Sequence, residues 1–313
     1  MRVLMVGVGA LGGYIGGRLL AAARDVTLLV RVERVRALRE EGLTITSAAG
    51  DIRLLDPPVI SKIGEGEQFD LIILSCKAFD LDSAIEAMTP AVGPQTLILP
   101  VLNGLRHLDV LQEHFGPNAV LGGHCLISAG RDAQGHIQHF GDLKSITLGS
   151  RAEETNATVE KVAEALSVPG LDVVLSSQIM QEMWEKWVFI ATGACGTSLL
   201  RSTIGDIVAA GATEVIISLL DECAAIAGKN GYAPRASSME RVRAMFTASG
   251  STFTASMFRD IQAGARIEAD HIVGDLLSRS AGVPTHILPV AFSHLKTYEA
   301  RRERELSDAA AAL

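Results

Sequence analysis

The sequence predicts two domains of different class: an α/β domain with a parallel sheet over residues 1–170, and an all-α domain over 171–313. Three observations predict it. A glycine-rich turn follows an apolar run at the very start, near-continuous apolar runs recur through the first half, and from residue 178 onward the apolar spacing becomes helical almost throughout.

The opening stretch, MRVLMVGVGALGGYIGG, fixes a cofactor class. Residues 3–6 form an apolar run of strand length, Gly7-x-Gly9-x-x-Gly12 follows directly, and residues 14–23 suit a helix. Strand, glycine turn and helix in that order are the context of a dinucleotide fingerprint and of a Rossmann-like domain. Gly7 permits a tight turn, Gly9 lets the backbone approach a pyrophosphate, and Gly12 lets helix and strand pack closely. The helix N-terminus, at Ala10, Leu11 and Gly12, then presents N–H groups to the phosphates. A secretory signal is the rival reading. Six glycines between Gly7 and Gly17 argue against it, because a signal core is a compact apolar helix.

Residues 25–30 read as the second strand, with Arg31 at its carboxyl end, 19 residues after Gly12. An acidic residue there would serve the ribose 2′-hydroxyl of NAD; an arginine accepts the 2′-phosphate of NADP. Arg31, with Arg34 one turn on, therefore points to NADPH/NADP. Residues 32–41 suit a short charged helix, and residues 43–60 short peripheral strands broken by Gly50 and Pro57-Pro58. Two buried parallel strands follow at 69–75 and 96–102. Lys77 comes off the end of the first and Asn103 off the end of the second, where ligands bind in open α/β sheets. A strand is expected over 119–128, then a hairpin of 136–140 and 145–149 turning at Gly141-Asp142, a helix over 155–166, and the domain end near Val168-Pro169-Gly170. Helices are expected over 181–200, 212–229, 238–248, 252–263, 267–279 and 289–305. Residues 307–313 carry little information.

Composition narrows the function. With 48% hydrophobic residues, 4% aromatics and a net charge of −8, the chain offers no basic face for nucleic acid and no apolar run of bilayer length. Four cysteines without paired or metal-like spacing read as free thiols in a reducing compartment, hence a cytoplasmic protein. None of the eight histidines has metal-like spacing, so no metal is expected.

Six blocks in order, GVGALGG, the Arg31 strand end, SCKAFD, LNG, EMWEKW, and SMFRD followed by RIEAD, resemble the ketopantoate reductase family over most of the chain. The resemblance implies an NADP-dependent oxidoreductase that reduces 2-dehydropantoate to pantoate in pantothenate biosynthesis. It implies Lys186 as the general acid, Glu268 as its acidic catalytic partner, Ser256 as a substrate-binding hydroxyl, and Lys77 and Asn103 as contacts to both cofactor and substrate. The implied partner is a small-molecule 2-oxo acid, with a homodimer also allowed. The sequence departs from the family at Ile190 and Ala194, four and eight positions after the lysine, where the family carries asparagines. Residues so spaced share a helix face, so that wall is apolar; Thr192, Thr197 and Ser198 are the nearest polar replacements. Two further readings follow: a reductase of a different, more apolar 2-oxo acid, and a catalytically weak NADP-binding sensor on the same scaffold.

Overall fold

The computed structural model describes residues 1–151 and 157–311. They divide into two compact units, one of residues 1–102 and 107–179, the other of 103–106 and 180 onward.

The first unit is built on two sheets with one helix between them. Strand β1 (Val3–Val6), helix α1 (Ala10–Ala21), β2 (Val26–Leu29) and α2 (Val32–Glu41) open it. Then come β3 (Leu43–Thr46), β4 (Ile52–Leu54), β5 (Val59–Ile60), β6 (Leu71–Leu74), α3 (Leu81–Met88) and β7 (Leu97–Pro100). The first sheet is parallel throughout, in the order β5-β2-β1-β6-β7. Its central strands β1 and β6 are buried along their whole length, which is why both read as unbroken apolar runs rather than alternations.

The second sheet runs β10-β9-β3-β4, with β8 paired to β9. Its later members, after α4 (Arg106–Phe115), are β8 (Gly122–Arg131), β9 (Ile137–Gly149), α5 (Ala157–Leu166) and β10 (Asp172–Leu175). Glycines on α1 explain how one helix serves both sheets. A Cβ at Gly16 would lie 2.9 Å from Leu28 of the first sheet, and one at Gly13 or Gly17 would overlap Ile137 or Ile45 of the second. Larger residues would force these side-chain ends to repack on one sheet or the other.

The structure corrects one element outright. Residues 136–149 do not form a hairpin at Gly141-Asp142. Instead β9 is one strand antiparallel to β8, and the turn lies at Asp132–Gly135, where the Asp132 carboxylate accepts from the Gln134 and His136 amides at 3.0 and 2.8 Å. Gly141 to Leu143 form a bulge at the register shift, with Gly141 at φ 71°. A turn residue in a strand pattern fits a bulge as well as a turn, and pairing with β8 decides between them. The expected helix start at 155 lies outside the described residues.

The second unit is helical: α6 (Ile179–Leu200), α7 (Ile204–Ala209), α8 (Thr213–Lys229), α9 (Ala236–Phe246), α10 (Ser256–Gln262), α11 (Asp275–Ser278) and α12 (Leu288–Ala311). Helix α7, absent from the sequence reading, is six residues long and begins with a reciprocal cap between Thr203 and Asp206. The stretch expected as one helix over 267–279 opens instead with a π-helical turn, Asp270–Gly274, before α11. Glu222 on α8 accepts from the His286, Ile287 and Leu288 amides, each at 2.9 Å, and so caps the start of α12, which runs on to Ala311. Among the described residues, no helix is long and apolar enough to cross a membrane.

Candidate active site

In the first unit the glycine turn has the shape its spacing requires. Gly7 sits at φ 87°, and a Cβ there would be 2.7 Å from the Cys76 amide, so neither another conformation nor another residue fits. A Cβ on Gly12 would run into the Gly7 carbonyl. Around Gly9, by contrast, a Cβ would meet nothing within 4 Å. The turn is therefore closed by packing at Gly7 and Gly12 and open at Gly9, the arrangement that admits a phosphate group. The ladder of α1 begins only with Gly13 N–H donating to Gly9 at 2.9 Å, so the Ala10, Leu11 and Gly12 amides lie in its uncommitted first turn.

Because β1, β2 and β6 are parallel neighbours, Gly7, Arg31 and Lys77 leave the same edge of the sheet. Arg31 is the residue before α2, with its side chain 71% exposed and Nη2 donating to Asp80 Oδ1 at 2.6 Å. Asp80 closes a 3-10 turn whose preceding residue is the exposed Lys77, and its amide donates to the Lys77 carbonyl at 2.9 Å. Arg34 is engaged elsewhere, donating to the Gly135 carbonyl at 3.1 Å; burial, then the charge of Arg131, pull its guanidinium below the usual range, against Glu41. Of the two arginines, Arg31 is the one on the exposed edge.

The second unit holds Asn103, Lys186, Ser256 and Glu268. Lys186 is half-buried on α6, and its neighbours along the chain are locked in place. Glu185, with a side chain only 6% exposed, accepts from Arg235 Nε and Nη2 at 2.7 Å each, from the Arg235 amide at 2.9 Å and from Gln181 at 3.1 Å. Burial alone would raise this carboxyl, but the bonds from Arg235 and Gln181 outweigh it and hold the group below the usual carboxylate range. Trp187 packs against Trp184 at 5.0 Å and donates from Nε1 to the Ile272 carbonyl at 2.8 Å. Helix α6 is thereby fixed in rotation about its own axis on both sides of the lysine.

Ile190 is half-buried and Ala194 only 1% exposed. The nearby polar side chains Thr192, Thr197 and Ser198 are all buried to 1% or less, and Thr197 Oγ1 donates to the Gly193 carbonyl at 2.6 Å. Ser256 is exposed at the first turn of α10. Glu268 is half-buried just before the π-helical turn, its carbonyl accepting from the Ile272 amide at 3.0 Å.

The structure brings Asn103 and Glu268 together around a residue that the sequence reading passed over. His271 is buried, bonds to the Asn103 backbone and feels the charge of Glu268. Asp80 and the Glu185–Arg235 pair are likewise visible only in the structure. The only sequence signal for Asp80 was an acid just beyond a strand end, and for Glu185 an acid between two tryptophans.

Comparison with known proteins decides the family. A family model described as ketopantoate reductase PanE/ApbA matches residues 3–153, and its C-terminal counterpart matches residues 178–299. The chain belongs to the ketopantoate reductase family. It is 34% identical over 306 residues to an uncharacterized oxidoreductase, YkpB, of Bacillus subtilis, covering 96% of this chain and all of that one. It is 29% identical to a 2-dehydropantoate 2-reductase of Halobacterium salinarum, over 90% of this chain and 92% of the other. A solved 2-dehydropantoate 2-reductase of Geobacter metallireducens superposes with a TM-score of 0.87 at 25% identity, over 95% of this chain and 99% of that one. D-mandelate dehydrogenase, solved with NADH and anilino(oxo)acetate, shares the fold with a TM-score of 0.86 at 22% identity, over 97% and 99%. The protein is an oxidoreductase of this family, with the parallel-sheet α/β unit and the helical unit that its members share.

Proposed function

We propose that the protein reduces a 2-oxo acid with NADPH, with 2-dehydropantoate as substrate and pantoate as product, in pantothenate biosynthesis in the cytoplasm. The observation that carries this reading is the chain-long family match; the motif resemblance, EMWEKW and RIEAD, supports Lys186 as the general acid and Glu268 as its acidic partner. When bound, the dinucleotide supplies the hydride. Gly7, Gly9 and Gly12 with the first-turn amides of Ala10 and Leu11 would hold its pyrophosphate, Arg31 its 2′-phosphate, and Lys77 and Asn103 would contact both cofactor and substrate.

Lys186 then stabilises the negative charge that develops on the carbonyl oxygen and delivers a proton to it. Glu268 orients the substrate hydroxyl and sets the charge near the lysine, while Ser256 contributes a hydroxyl to the substrate. Turnover of 2-dehydropantoate, followed by NADPH absorbance, tests the reading; a protein that binds NADPH and leaves 2-dehydropantoate untouched refutes it.

A second reading, a reductase of a different and more apolar 2-oxo acid, is favoured by Ile190 and Ala194, which remove two hydrogen-bonding side chains from the stripe after Lys186. A lost hydrogen bond to a charged carboxylate costs roughly 1.5–3 kcal/mol, tenfold or more in affinity. A panel of 2-oxo acids with branched and aromatic side chains separates the two: preference for an apolar acid over 2-dehydropantoate selects the second. A protein that binds NADPH but oxidises it with no acid of the panel, and in which Lys186→Ala changes nothing, favours an NADP-binding sensor.

A further inference from the structure

His271 sits where two parts of the proposed substrate site meet. Its residue is 7% exposed, within a π-helical turn that begins two residues after Glu268. Such turns are rare and gather at functional sites. Across from it lies Gly104, at φ 76°. A Cβ there would be 3.1 Å from His271 Cδ2, 3.3 Å from Nε2 and 3.1 Å from the His271 carbonyl oxygen, so the ring rests directly on glycine backbone. The hydrogen bond between His271 and the Asn103 backbone favours the protonated ring, so a ring N–H donates and the Asn103 carbonyl accepts. The same turn is tied to the lysine-bearing helix, through Trp187 Nε1 and the Ile272 carbonyl.

We propose that His271 is a positioning residue for the reaction: its ring fixes the Asn103–Gly104 turn against Glu268, and so sets how firmly the substrate is held. The proposal rests on the reading of Asn103 and Glu268 as substrate contacts. The ring has no need to touch substrate; it acts through the two residues it joins. Its charge is set by opposed influences. Burial, the largest, lowers its affinity for a proton below the ordinary value of 6.5, Glu268 and Asp275 raise it, and Arg106 lowers it. Near neutrality the ring is therefore uncharged, holding Asn103 while leaving Glu268 its full negative charge. Acidification makes the ring a cation, which pairs with Glu268 and withdraws that carboxylate from the substrate.

The test compares His271→Leu, which fills the space without a donor, with His271→Asn, which keeps one. For the 2-oxo acid that the wild-type protein turns over, His271→Leu is expected to raise KM about tenfold, the scale of one lost hydrogen bond. His271→Asn recovers most of that loss. The wild-type kcat/KM falls as pH drops below the ordinary histidine value of 6.5, and this acid limb is missing from His271→Asn. If His271→Leu is poorly folded, the missing limb in His271→Asn alone carries the test. A His271→Leu protein with wild-type KM and pH profile overturns the positioning role. Wild-type protein that turns over no 2-oxo acid overturns the functional reading and this one with it, a result distinct from the first because it appears before any variant is made.

Discussion

Arg31 allows the cofactor assignment to be tested with numbers. In the structure its guanidinium is 71% exposed and paired with an Asp80 carboxylate that is 32% exposed, at 2.6 Å. A pair so open to water contributes at most about 1 kcal/mol. A guanidinium bound to the 2′-phosphate of NADPH, a charge-assisted and bidentate contact, contributes roughly 1.5–3 kcal/mol. Binding NADPH therefore exchanges the weaker pair for the stronger, a net gain of roughly 0.5–2 kcal/mol, or about two- to thirtyfold in affinity. Arg31→Ala should raise the NADPH Kd by about that factor and leave NADH within roughly twofold, as read by fluorescence titration at low salt. Asp80→Asn should do the opposite: with its competitor gone, Arg31 binds the phosphate more tightly, by up to about fivefold, with NADH nearly unaffected. Equal losses for both cofactors in Arg31→Ala, or weaker NADPH binding in Asp80→Asn, would refute the exchange.

Lys186→Ala should lower kcat by roughly a hundredfold or more, the scale of a lost general acid, while the NADPH Kd stays put; unchanged turnover removes the lysine from the mechanism. Ile190→Asn should improve 2-dehydropantoate turnover relative to apolar 2-oxo acids, and an unchanged ratio means that the apolar stripe does not set substrate choice. Ala194→Asn is a poor companion, because Ala194 is 1% exposed and the larger polar side chain should cost roughly 1–3 kcal/mol in urea unfolding. Arg235→Ala leaves the Glu185 carboxylate buried without its bidentate partner. Full burial of both groups would make that cost about 3–5 kcal/mol, but Arg235 is 45% exposed, so about 2–3 kcal/mol at neutral pH is expected. Since the folded protein holds Glu185 below its ordinary value of 4.5, its contribution is present above that pH and lost as pH falls through the folded value. Acid unfolding of Arg235→Ala should accordingly be shallower than that of wild type, and parallel curves would dismiss the pair.

What was legible in the sequence is what local chemistry dictates. Gly12 is forced by the Gly7 carbonyl five residues back, Gly7 by its positive φ as well as by Cys76 just past the end of β6, and the unbroken apolar runs of β1 and β6 follow from burial on both faces. What was not legible depends on partners distant in the chain. Gly141 reads equally well as a turn or a bulge until β8 lies alongside, and nothing in DHIVG marks a π turn. Glu185 and Arg235 are 50 residues apart, and each alone resembles an ordinary surface charge.

A histidine is read from sequence by its spacing to other ligands, and His271 has none; its role comes from a carbonyl 168 residues away and a carboxylate three residues back. Four of the five residues proposed to contact substrate lie in the helical unit, and the π turn connects three of their locations: Asn103 through the His271 ring, Glu268 through the Ile272 amide, and the Lys186 helix through the Ile272 carbonyl. Both backbone groups of Ile272 are thus committed, so a shift of the turn that relieved one contact would break another. A site tied in this way answers as a unit. Loosening it at Trp187, by Trp187→Phe, which keeps a ring and removes the N–H, should therefore raise the substrate KM in the same direction as His271→Leu, and the two changes together should cost less than the product of their separate effects.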